Sequence, residues 1–121
     1  MKTFSTGMVA ALVLFVATGC SNNKGKLEGT KWVNNAAVVK GNNIPAGVMT
    51  LEFRTDGTMV YDIVGTKYTG KYSLGMGDNV TWNLDQKLGN SNKHVEKCSI
   101  SGDTLTVKDS DGTAMTFKRA K

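Results

Sequence analysis

The sequence predicts an all-β domain, an eight-stranded antiparallel up-and-down barrel, behind an N-terminal export segment. Three observations predict it. From Leu27 onward Thr, Val, Tyr and Gly dominate, with a single proline and no stretch of helical period. Turn signals recur at short, regular intervals. Between them, apolar and polar residues alternate with period two, the spacing that sends successive side chains to opposite faces of a strand.

The turns divide the chain. Lys40 to Gly47 reads as a loop, Asp56-Gly57 as a tight hairpin, and Val64-Gly65-Thr66 as another turn. Gly75 to Asp78 follows, then a longer polar connection from Gln86 to Ser91. Ser101-Gly102-Asp103 and Asp109 to Gly112 close the series. The strand-length pieces left are about Thr30–Val39, Val48–Arg54, Thr58–Val64, Lys67–Leu74, Asn79–Asp85, Lys93–Ile100, Thr104–Lys108 and Thr113–Arg119. Short connections make sequential strands neighbours. Such a meander removes its edges by closing. The runner-up architectures are an open β-sandwich and a META-type domain.

Parity assigns the core. The inward set is Trp32, Met49, Leu51, Phe53, Met59, Tyr61, Ile63, Tyr68, Tyr72, Leu74, Val80, Trp82, Leu84, Cys98, Ile100, Leu105, Val107, Met115 and Phe117. It holds every aromatic residue after the export segment. The opposite phase is mostly Thr, Lys, Glu, Asp, Ser and Asn, which makes one dry face and one wet face. So many rings in a short barrel predict a small cavity or none.

Residues 1–19 carry Lys2 and then the uncharged apolar run Met8–Ala17. The run is too short for a permanent membrane span and has the layout of a secretory signal peptide. Ala17-Thr18-Gly19-Cys20 resembles the bacterial lipobox, with Ala17 where Leu is usual. The resemblance implies acylation of Cys20 and stable attachment to a membrane, since more than one acyl chain anchors firmly. Ser21, rather than Asp, follows the cysteine, which by the sorting rule of enteric bacteria implies the outer membrane, facing the periplasm. Residues 20–28 then read as the lipidated cysteine and a flexible tether, and 29–121 as the barrel.

Four places resemble the small, uncharacterised lipocalin-like proteins of bacteria. They are Leu27-Glu28-Gly29-Thr30-Lys31-Trp32, Leu51 to Thr58 with its Asp56-Gly57 hairpin, Tyr68 to Leu74 with Gly70-Lys71-Tyr72, and Leu105 to Arg119. The lipocalin pattern is Gly-x-Trp, and this chain has one residue more between Gly29 and Trp32. The resemblance implies that Trp32 plugs one barrel end with Arg119 packed over it. A solvated Arg119 is the alternative.

Little in the sequence points to catalysis, and no enzyme is expected. His94, Glu96 and Cys98 share a strand face, but residues four apart on a strand lie roughly 13 Å apart. They read as a rim histidine, an exposed acid and a buried thiol, with no metal and no cofactor. Asp109-Ser110-Asp111-Gly112 lacks the remainder of a calcium loop and reads as a turn. The net charge of +5 is spread along the chain without a basic run, which argues against a nucleic-acid partner. Two functions are expected: a membrane-tethered module binding a small apolar ligand, with Tyr61, Tyr72 and Trp82 as ligand residues, or an inhibitor-type or structural envelope module with a filled barrel.

Overall fold

The computed structural model describes residues 21–120. Its strands are β1 (Thr30–Asn34), β2 (Ala37–Val39), β3 (Asn42–Ile44), β4 (Met49–Phe53), β5 (Thr58–Ile63), β6 (Thr66–Leu74), β7 (Asn79–Leu88), β8 (Ser91–Ser101), β9 (Thr104–Lys108) and β10 (Ala114–Arg119). Eight of these close into an antiparallel barrel in the order β1-β4-β5-β6-β7-β8-β9-β10. Closure comes from β10 pairing with β1, where Arg119 opposes Trp32 and Phe117 opposes Asn34. The expected signal peptide and the expected lipidated Cys20 lie outside the described residues.

The alternation places the core. Every residue of the inward set is buried or partly buried in a single apolar cluster, which Leu27 and Leu88 also join. Successive hairpins alternate between two ends. One end, the base, carries the turns at Asp56-Gly57, Gly75–Asp78 and Gly102-Asp103. The other carries the turns at Val64-Gly65, Gly89-Asn90 and Asp109–Thr113.

Three expectations need correction. The piece Thr30–Val39 is not one strand. Its barrel pairing stops at Asn34, and β2 pairs with β3 as a separate hairpin where a loop was expected. Asn34 causes the break. Its side chain is only 2% exposed, donates to the carbonyls of Pro45 (3.0 Å) and Asn35 (3.2 Å), and accepts from the Met49 N–H (2.9 Å). A buried polar group is tolerated when its bonds are made, and here those bonds pin both ends of the inserted hairpin.

The connection Gln86–Ser91 is also mostly strand. β7 and β8 run on to Leu88 and from Ser91, with a register shift between Asn83 and Leu88. Beyond Leu84 the β6–β7 ladder is continued by side chains: Gln86 Nε2 donates to the Lys67 carbonyl (2.9 Å) and Thr69 Oγ1 to Asp85 (2.9 Å). These extended strands raise one wall above the barrel.

The third correction concerns the tether. Asn23 and Leu27 are 1% and 0% exposed. Asn23 Nδ2 donates to the Cys98 carbonyl (3.0 Å), the Asn22 N–H bonds the Gly77 carbonyl (2.9 Å), and the Gly29 N–H bonds that of Phe53 (2.7 Å). Polar residues suggested a solvated segment, but Asn23 satisfies backbone groups at the base while Leu27 fills the opening there. The segment from Ser21 to Glu28 is a cap, not a spacer.

The turn between β5 and β6 carries strain. Val64 has φ 50° and Gly65 φ 86°. The left-handed region is costly for a β-branched residue and ordinary for Asn or Gly. Val64 is exposed and contributes little packing. Val64→Asn is therefore expected to stabilise the protein by about 1 kcal/mol, read as a shift in the urea midpoint. A variant no more stable than the parent would contradict the assignment of strain.

Candidate functional site

The barrel interior divides into a packed base and an open cup. At the base, Trp32 is fully buried. Its Nε1–H donates to Thr30 Oγ1 (2.8 Å), and that hydroxyl in turn donates to the Leu27 carbonyl. The Arg119 guanidinium lies 4.5 Å from the centre of the Trp32 ring. It also bonds the Asp103 carboxylate (3.2 Å) and the Gly102 carbonyl (3.2 Å). Phe53 and Tyr72 also pack at the base, edge to face at 5.1 Å, and Trp82 lies 6.2 Å from Phe53 and 5.5 Å from Tyr61.

At the other end a cavity of about 590 Å³ opens between the upper parts of β7 and β8, the β9–β10 turn and the β2 hairpin. That is within the usual range for a small-molecule site. Tyr61, Trp82, Leu88, Val107, Met115 and Phe117 make its apolar surface. Val39 adds to it from the hairpin, and Lys93, His94, Glu96, Asp109, Asp111 and Thr113 add a more polar side and rim. This corrects the expectation of a small cavity or none. The rings do fill the lower half, but at the mouth the upper parts of β7 and β8 flank a half-open cup that the parity of single strands does not report.

The sequence-predicted ligand residues part company here. Tyr61 and Trp82 line the cup. Tyr72 does not: its hydroxyl donates to the Arg54 carbonyl (2.7 Å) and its ring packs against Phe53 at the base. His94 sits at the rim with Nε2 2.8 Å from the Ser91 carbonyl oxygen. Cys98 is fully buried beneath, and burial, with Glu96 and Asp78 nearby, pushes its thiol up to about 12. A thiol so protonated is a small apolar side chain, not a nucleophile.

Glu96 is the residue that sequence reasoning misplaced. It was expected to be an exposed acid, yet it is half-buried and lines the cup. Among the described residues it makes no hydrogen bond or ion pair. Burial, then the like charges of Asp109 and Asp111, push its carboxyl up to about 7. Its inward parity with His94 and Cys98 was the available signal. Trp82 adds a second unsatisfied group: it is 2% exposed and its Nε1–H has no partner. Leaving such a donor desolvated costs about 1–3 kcal/mol.

At the rim, Asp109 Oδ1 accepts from the Asp111 and Thr113 N–H groups, and Asp111 pairs with Lys40 of the hairpin at 2.9 Å. The hydrogen bond between the two carboxyls raises Asp109 and lowers Asp111, which Thr113 and Lys40 also hold down. This exposed ion pair joins the β2–β3 hairpin to the β9–β10 turn across the mouth.

The raised Glu96 carboxyl has a consequence for stability. Its neutral form is favoured in the folded protein relative to the unfolded chain, where the group titrates near its ordinary 4.5. The contribution is complete below about pH 4.5, declines as pH rises, and is lost above about pH 7. Glu96→Gln is therefore expected to match the parent in melting temperature at pH 4 and to exceed it at pH 8. An equal difference at both values would remove the buried-carboxylate reading.

Comparison with protein-family models, with curated proteins and with solved structures returns no match to this chain.

Proposed function

We propose that this protein is a lipid-anchored envelope lipoprotein whose lipocalin-like barrel binds a small, largely apolar molecule. The observation that carries the reading is the cup of about 590 Å³, with its aromatic and aliphatic surface in a closed barrel. Apolar area removed from water stabilises a complex by roughly 25 cal/mol per Å², and a preformed site loses little of this to ordering. Attachment rests on the lipobox-like Ala17-Thr18-Gly19-Cys20, and placement at the outer membrane on Ser21.

Native mass spectrometry of the purified protein tests the reading. One small molecule per chain is expected, either co-purified or after titration with dodecanol. Met115→Trp, which fills the cup, should abolish the complex. A protein that takes up no dodecanol, or a Met115→Trp variant that binds as the parent does, would overturn the proposal.

A second reading, docking of an envelope protein, is favoured by one observation. Ala36, Ala37, Val38, Ile44 and Pro45 form an apolar groove on the inserted hairpin, with Val38 70% exposed. Val38→Ser would separate the readings, since it touches the groove and not the cup.

A further inference from the structure

We infer that the cup selects an amphiphilic amine: a molecule with an apolar chain or ring and an ammonium group that pairs with Glu96. This rests on the ligand-binding reading above and names the chemistry of its ligand.

Two observations carry it. The first is the Glu96 carboxylate, half-buried on the cup wall without a hydrogen bond or ion pair among the described residues. A carboxylate partly withdrawn from water attracts a cation more strongly than one in bulk solvent. The second is the apolar surface of the same cup, made by Tyr61, Trp82, Leu88, Val107, Met115 and Phe117, which suits a chain or ring.

The charges around the cup give the sign. The protein as a whole is basic, with net charge +5, but Glu96, Asp109 and Asp111 converge on this mouth. Lys40 is committed to Asp111, and Lys93 is an exposed rim residue. An anionic head would meet three carboxylates; a cationic head relieves their repulsion.

The elements packed around Glu96 bring few groups that titrate with it. β5 contributes Tyr61, whose phenol burial and Glu96 both push up. β8 itself contributes His94 and Cys98. β7 and β10 present Trp82, Met115 and Phe117, which do not titrate. The β9–β10 turn contributes Asp109 and Asp111. Between pH 5.5 and 8, ionisation of Glu96 is therefore the main change that favours a cation, because an alkylammonium stays charged throughout.

Calorimetric titration with dodecylamine, dodecanol and dodecanoate, each below its micellar concentration, tests the inference. At pH 8 dodecylamine is expected to bind about tenfold tighter than dodecanol, and dodecanoate weakest. The amine-to-alcohol ratio should fall toward one at pH 5.5, and also in Glu96→Gln at pH 8. A ratio of one in the parent at pH 8, a ratio unchanged by Glu96→Gln, or tightest binding of dodecanoate would overturn it. If dodecanol binds and the amine gains nothing, the cup stands and its proposed selectivity falls. If none of the three binds, the cup reading falls with it.

Discussion

Gly70→Ala is expected to be severely destabilising. Gly70 lies buried on β6, where it opposes Met59 of β5 and Leu84 of β7. A Cβ there would sit 2.2 Å from the Asn83 carbonyl oxygen and 2.7 Å from Leu84 Cα. Both are backbone atoms, so no side chain can rotate away. The strands would have to separate in the middle of the barrel, beside the Tyr72–Trp82 pair that roofs the packed base. Overpacking with a movable neighbour costs about 1–3 kcal/mol. Against immovable backbone the loss should exceed about 3 kcal/mol, a large share of the stability of a small domain. Urea denaturation followed by near-ultraviolet circular dichroism measures it. A loss under about 0.5 kcal/mol would mean that the β6–β7 spacing is wrong. The glycine of the Gly70-Lys71-Tyr72 motif is thus explained by proximity, not by a turn.

Trp32→Ala should cost about 3–5 kcal/mol, the usual loss for a large buried aromatic ring. The ring is fully buried, and its removal also strands the Thr30 hydroxyl and the Arg119 guanidinium. Arg119→Ala should cost much less, about 1 kcal/mol, because its carboxylate partner Asp103 is exposed. The double variant is the informative one. If the guanidinium acts on the ring, the losses will fall short of additivity by about 0.5 kcal/mol or more. Strict additivity would leave Arg119 as a surface charge tied to Asp103 alone.

Much of this architecture was legible because strand parity is a local property. Phe53, Trp82 and Phe117 face inward whatever the neighbouring strand does, and the Asp56-Gly57 hairpin needs only its own residues. What was missed depends on distant segments. Asn23 reads as part of a tether because it is polar, and nothing in the alternation marks out Asn34, yet each is satisfied by carbonyls far along the chain. The inserted hairpin follows from Asn34's bonds to Pro45 and Met49, which no alternation displays. The site was half legible. Parity put Tyr61, Trp82 and Glu96 on the interior side, but height along the barrel axis depends on strand tilt and length. That height decides that Tyr72 belongs to the floor, and that Glu96 belongs to the cavity.

The base cap also gives the molecule a direction. The chain reaches Ser21 at the sealed pole, and the mouth opens at the far pole, with no slack between Ser21 and the packed Asn23. A lipid on the preceding residue would seat that sealed pole on the headgroups like a foot and aim the opening at the aqueous compartment. Cargo would then arrive by diffusion through water, not by sliding laterally out of the bilayer.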